Sequence, residues 1–116
     1  MLIYRARPYE LHRIVWPYGA DQGLNAVILS EKLQVGYELV EVRSGLGLKP
    51  IYRTGRAPVA TVEAIRSEAN EVLSKAFGED GEKKRAKLAE LSKLVRGEWE
   101  DGGASLRDVT HFLETL

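Results

Sequence analysis

The chain contains no cysteine. A disulfide framework and a thiolate metal site are therefore excluded, and a reducing, cytoplasmic setting is expected. Histidine is nearly as scarce. His12 and His111 are far apart in sequence and offer no metal-ligand spacing, so no metal is expected. Neither sign of charge is in surplus, with 17 Lys+Arg against 17 Asp+Glu. A dedicated nucleic-acid binder needs a basic excess to neutralise phosphates, so no nucleic-acid partner is expected. No apolar run approaches a membrane span. The start, Met1-Leu2-Ile3-Tyr4-Arg5, meets an arginine too early for a signal-peptide core. There is no internal repeat, low-complexity tract or heptad run.

What is present is enough for one small domain or a piece of a larger one: 116 residues, 44% of them hydrophobic. The organising stretch is Ile14-Val15-Trp16-Pro17-Tyr18-Gly19-Ala20-Asp21-Gln22-Gly23-Leu24-Asn25. Apolar residues run into a proline, a bendable loop follows, and then an acid suited to open a helix. The pattern predicts a buried strand over residues 14–16, apolar on both faces, with Trp16 in the core. Pro17 ends it, and Gly19 and Ala20 let the backbone turn. A helix is expected over residues 21–35 with Gly36 as its stop. In a parallel α/β sheet such a corner, outside the carboxyl end of a strand and beside a helix N-terminus, is where ligands bind. Asp21 and Gln22 stand there side by side. Aspartate is a favoured helix cap, which would explain Asp21 but not Gln22. A carboxylate has lone pairs enough to cap a helix and bind a ligand at once, so both roles stay open. Asn25 is expected to tie the helix to the preceding loop.

Tyr37-Glu38-Leu39-Val40-Glu41-Val42 is a candidate edge strand with its acids on a wet face. Residues 43–60, punctuated by Gly45, Gly47, Pro50, Gly55 and Pro58, form a long loop whose Leu46, Leu48, Ile51 and Tyr52 suggest packing against something outside the chain. Arg53-Thr54-Gly55-Arg56 looks phosphate-friendly, although its glycine spacing matches no phosphate loop. Thr61 is placed to cap a helix whose stripe is Val62, Ile65, Ala69, Val72, Leu73 and Ala76, with Glu63, Arg66, Glu68 and Glu71 outward and Phe77-Gly78 as its end. Asp80 is placed to cap a third helix over residues 81–100 with Leu88, Leu91, Leu94 and Val95 inward. The basic run Lys83-Lys84-Arg85, with Lys87, is balanced by Glu79, Asp80, Glu82 and Glu90 and reads as solvated surface. After Gly102-Gly103, Ser105 and Asp108 fit a capping pattern, and Leu106, Val109, Phe112, Leu113 and Leu116 make a last apolar stripe. His111 has no partner in the pattern.

Trp16-Pro17 followed by Asp21-Gln22 and Asn25 resembles the end of the donor-sugar signature of the UDP-dependent family 1 glycosyltransferases. The glycine-punctuated insert resembles that of fungal members, and Trp99-x-x-Gly102-Gly103-x-Ser105 resembles the family's C-terminal end. The resemblance covers residues 14–116 and leaves residues 1–13 as an atypical leader. It implies an α/β fold, namely a partial Rossmann-like donor-binding domain of a GT-B enzyme, mostly helical with two or three short strands. It also implies that Asp21 and Gln22 contact the hydroxyls of the transferred sugar. In the family, UDP-sugar is the donor, a small hydrophobic hydroxylated molecule is the acceptor, and no metal or other cofactor is expected. The diphosphate-binding run that precedes the Asp-Gln pair in the family is not found in residues 1–13. His12 does not match the family's general base, so no catalytic residue is assigned. The closing helix, over residues 104–116, crosses to the acceptor-binding domain in the family, which would leave its apolar face partly bare here and open to self-association. The expected function is thus that of a donor-half fragment, inactive alone. The alternatives are a non-catalytic helical interaction module and a functionless truncated remnant.

Overall fold

A computed structural model describes residues 13–116. His12 and the rest of the leader lie outside the described residues. Two strands, β1 (Arg13–Val15) and β2 (Gly36–Glu38), pair in parallel, with Arg13 opposite Gly36, Ile14 opposite Tyr37 and Val15 opposite Glu38. Parallel partners need a crossover, and helix α1 (Gln22–Val27) supplies it. Its last turn widens into a π-helical turn, Ile28–Lys32. Three longer helices follow: α2 (Val62–Ala76), α3 (Glu79–Gly97) and α4 (Ala104–Glu114). The described chain is mostly helical with two short strands, as a partial α/β domain is.

Two glycines are fixed by close approach. A Cβ at Gly36 would lie 2.9 Å from the Arg13 carbonyl oxygen across the ladder. One at Gly81 would lie 1.8 Å from the carbonyl oxygen of Ala76, so α3 can cross the end of α2 only with glycine there. Gly36 therefore serves β2 and does not stop α1. The stop is Gln34, which takes the left-handed conformation (φ 56°), while the Val35 N–H reaches back 2.9 Å to the Leu29 carbonyl.

Tyr37, Val72 and Ala76 form the buried cluster, with Leu39 packed on it. Alternation along β2 and the stripe of α2 thus meet. The Tyr37 hydroxyl donates to Asp80 Oδ2 at 2.6 Å, and Lys84 Nζ lies 4.8 Å from the ring centroid. Burial first, and the Asp80 carboxylate second, hold the Tyr37 hydroxyl well above the usual phenol range. Asp80 is consequently not the cap of α3. That position falls to Gly78, and Glu79, Asp80 and Glu82 occupy the first turn, where the helix dipole favours acids. Thr61 does cap α2, its Oγ1 accepting the Ala64 N–H at 3.2 Å.

Several expectations fail, those about burial because, among the described residues, little covers the outer faces. The first strand is one residue earlier than predicted and is not buried, with Ile14 40% and Trp16 63% exposed. Trp16 lies just past the ladder rather than in a core. On α3, Leu94 and Val95 are exposed, while Leu88 and Leu91 are half-buried. Ser105 sits inside the first turn of α4, which Gly103 begins without a side-chain cap. The apolar stripe of α4 is bare as anticipated, with Val109, Phe112, Leu113 and Leu116 all exposed. Among the described residues no helix is long and apolar enough to cross a membrane.

Candidate functional site

A strand–turn–helix corner forms, although its strand is mostly exposed and ends one residue before the expected Trp16. β1 ends at Val15, and its direction continues in a bond from the Leu39 N–H to the Val15 carbonyl at 3.0 Å. Pro17 cannot donate to a ladder, and the chain leaves the sheet there. The tight turn falls at Ala20, whose φ is 51°, and not at Gly19. A left-handed alanine is a strained residue, on the order of 1 kcal/mol, and such strain gathers at functional corners. The Gln22 N–H bonds the Gly19 carbonyl at 3.1 Å, and the Asn25 N–H bonds the Asp21 carbonyl at 3.0 Å, so α1 begins directly.

Asp21 occupies the cap position, yet its side chain caps nothing. Its Oδ2 instead accepts from the Asn25 side-chain amide at 3.0 Å, which is the helix-to-loop tie expected of Asn25. Gln22 Oε1 accepts the Tyr18 N–H at 2.9 Å. Each side chain is thereby oriented through one atom. Among the described residues, Asp21 Oδ1 and the Gln22 side-chain NH2 keep no partner. Both residues are exposed, as are Trp16 and Tyr18 beside them. The corner thus presents an acceptor and a donor on consecutive residues, each side chain held through its other polar atom. That combination suits a hydroxyl group, which can donate to the carboxylate and accept from the amide.

A second feature was not foreseen. A cleft of about 740 Å³ lies between β2, one side of α2 along most of its length, the start of α3, the π-helical turn and the long loop of residues 43–60. Asp21 and Gln22 do not line it. Its walls carry carboxylates and arginines in mutual contact. Glu38, whose side chain is 5% exposed, pairs with Arg43 at 2.5 Å and with Arg53, and Arg53 also reaches Glu31 at 2.7 Å. Glu41 Oε1 accepts from Arg56 at 2.6 Å, while its Oε2 accepts the Val59 and Ala60 N–H groups at 2.8 and 3.0 Å. The Ala60 N–H first, and the Arg56 guanidinium second, hold the Glu41 carboxyl below the usual range. Glu68 on α2 points inward, accepting the Val40 N–H at 2.8 and 3.0 Å and the Glu41 N–H at 2.8 Å, with Arg56 3.6 Å away.

Three readings are corrected by this network. The acids of β2 and the turn after it are buried, not wet. Glu68 is an internal clamp and not an outward residue of α2. Arg53 and Arg56 are committed to carboxylates within the chain, so Arg53-Thr54-Gly55-Arg56 is not an open phosphate cradle. The loop itself anchors Ile51, 7% exposed, within the chain, while Leu46 and Tyr52 point out. Residue spacing could not signal these pairs. The bond from Arg53 to Glu38 spans 15 positions and that from Val40 to Glu68 spans 28, with no periodicity linking them. His111 is exposed on α4 and has no hydrogen-bond partner among the described residues. Among the described residues no group of three His, Cys, Asp or Glu is placed to hold a metal ion.

No protein-family model matches the chain. No solved structure matches it either. Two curated proteins are similar to it. The "UDP-glycosyltransferase eriJ" of Hericium erinaceus is 38% identical over 92 residues, which is 78% of this chain and 18% of that protein. The "UDP-glycosyltransferase 73B4" of Arabidopsis thaliana is 27% identical over 106 residues, 91% of this chain and 19% of that protein. The chain thus spans less than a fifth of the length of either. By sequence it corresponds to a segment of a UDP-glycosyltransferase.

Proposed function

We propose that the chain serves as the sugar-contacting part of the donor-binding domain in a cytoplasmic UDP-glycosyltransferase of GT-B fold. Asp21 and Gln22 hold the hydroxyls of the sugar that passes from UDP to a hydroxyl of a small acceptor. The observation that carries this reading is the corner itself: on two exposed residues, Asp21 Oδ1 and the Gln22 amide nitrogen have no partner among the described residues, while Asn25 and Tyr18 hold the other ends. Two hydroxyls of one sugar ring can engage the pair together. The two relatives named UDP-glycosyltransferases supply the chemical class of the ligand.

Residues of this chain bind and orient the sugar in this proposal; the general base and the diphosphate contacts lie in other parts of the enzyme. The chain alone is therefore inactive, and titrating it with a UDP-sugar leaves the fluorescence of exposed Trp16 without a saturable change. The decisive experiment replaces the matching segment of the Hericium relative with this sequence. The chimera should transfer sugar. D21A and Q22A should each lower kcat/KM about 10–100-fold, the loss of a hydrogen bond to a charged or well-placed group. A folded, active chimera indifferent to both substitutions refutes the sugar-contact reading.

A second reading, a non-catalytic module that docks or self-associates, is favoured by the bare stripe of α4, where Phe112 and Leu113 are 61% and 60% exposed. A monodisperse monomer that binds no apolar dye would argue against it.

A further inference from the structure

The loop of residues 43–60 is fastened in an unusual way. Its large side chains contribute little to burial: Leu46 is 82%, Tyr52 105% and Val59 69% exposed. Ile51 and Pro58 are the buried exceptions. What fixes its far end is a carboxylate. Glu41 takes the Val59 and Ala60 N–H groups on one oxygen and Arg56 on the other. The two ends of the loop hold left-handed residues, Gly45 at φ 56° and Ala60 at φ 55°. Glycine adopts that conformation freely and alanine does not. Ala60 is therefore kept in a strained conformation by the same carboxylate that accepts its N–H. Releasing the carboxylate also releases the strain, so the fastening and the hinge favour opposite states.

We propose that residues 43–60 form a hinged wall of the cleft, which swings open as a unit about Gly45 and Ala60 and is clasped shut by Glu41. Ile51, Arg53, Thr54 and Arg56 line the cleft from this wall. Opening removes one side of it and uncovers Glu38, Glu41 and Val40 at the end of β2. The remaining ion pairs are Arg43 to Glu38, on the near side of the Gly45 hinge, Arg53 to Glu31 and Glu38, and Arg56 to Glu68. Arg53 and Arg56 already touch solvent, with side chains 28% and 50% exposed, so water can replace their partners when the wall moves. The opposite wall is held by the Tyr37, Val72 and Ala76 cluster, which does not include the loop and need not change. Local opening of this kind is what weakly packed, polar-fastened segments do below the threshold of global unfolding.

Amide hydrogen exchange on the full 116-residue chain, read residue by residue by NMR at neutral pH, tests this. In the unmodified chain the Val59 and Ala60 amides should exchange faster than Val72 and Leu73 of α2, by a route insensitive to low denaturant. E41Q should raise exchange at Val59 and Ala60 at least tenfold and leave Val72 within twofold. R56Q, at a half-exposed position, should raise it several-fold in the same places. A60G relieves the strain and should slow exchange at Val59. The proposal is overturned by unchanged exchange at Val59 in E41Q and R56Q. Acceleration of Val72 in step with Val59, or loss of fold in both variants, would make wall and core one unit and overturn it too. Faster exchange at Val59 in A60G overturns the hinge.

Discussion

Glu68 and Glu71 lie one turn apart on α2, carry the same charge, and have opposite roles. Glu68 accepts three bonds, two from the Val40 N–H and one from the Glu41 N–H, at 2.8–3.0 Å. Val40 and Glu41 are themselves 8% and 6% exposed, so water does not readily replace the carboxylate. Glu71 has a side chain 64% exposed and, among the described residues, forms an ion pair with Lys75 alone, one turn on. Truncating Glu68 to alanine leaves two buried N–H groups unsatisfied, each at about 1–3 kcal/mol, so E68A should destabilise by roughly 2–6 kcal/mol. For a chain of this size that lowers the melting temperature on the order of 10–20 °C. E68Q keeps one oxygen acceptor and should fall between. E71A should leave stability unchanged. Urea unfolding followed by far-UV circular dichroism gives the comparison, with unchanged slopes required for all variants. If E68A were no more destabilising than E71A, the internal clamp would not exist, and the cleft's back wall would need another explanation.

Further outcomes follow from single contacts. The Tyr37 hydroxyl is raised in the fold, so its neutral form contributes stability that is complete below the ordinary phenol value near pH 10 and is lost as pH climbs above it; Y37F should unfold less readily than the unmodified chain at alkaline pH relative to its own stability at pH 8, as measured by urea midpoints. G81A places a methyl 1.8 Å from the Ala76 carbonyl oxygen and should destabilise by about 3 kcal/mol or more, whereas helix propensity alone would predict a gain near 1 kcal/mol; thermal melts decide the sign. F112K, on the bare stripe of α4, should change unfolding free energy by less than about 0.5 kcal/mol while reducing apolar-dye fluorescence.

Much of the fold is legible in the residues because its determinants are local. Thr61 caps α2 and Ala76 ends it because capping and stripe signals sit within a few positions of each other. The corner after Val15 is legible for the same reason: proline, a small turn and an acid follow in order. The pairing of Asp21 with Asn25 is a contact between positions four apart. Tertiary charge pairing is not legible. Glu38 and Glu41 look like a wet face because alternation cannot report that Arg53 and Arg56 return from the loop to cover them. Glu68 falls on the polar side of the α2 stripe, and nothing nearby in sequence indicates that the backbone after β2 will need an acceptor there. Asp80 looks like a cap until the Tyr37 hydroxyl, 43 positions earlier, claims it.

Parallel pairing sets the carboxyl ends of β1 and β2 at one edge of the sheet, the edge where α/β folds bind ligands. At that edge the two ends differ. Beyond β2, the free backbone N–H groups of Val40 and Glu41 are filled by the chain's own Glu68, and the wall of residues 43–60 is clasped over them by Glu41. Beyond β1, no carboxylate from elsewhere occupies the corner among the described residues, and Asp21 and Gln22 keep an acceptor and a donor facing outward. At the end of β2 the carboxylates and arginines already satisfy one another, so an incoming group must displace an internal pair; a neutral hydroxyl approaching the end of β1 meets complementary partners. Among the described residues the two ends thus differ in what is left unpaired. In the proposed enzyme the first end reads hydroxyls, and in the proposed hinge the second holds the fold together and opens.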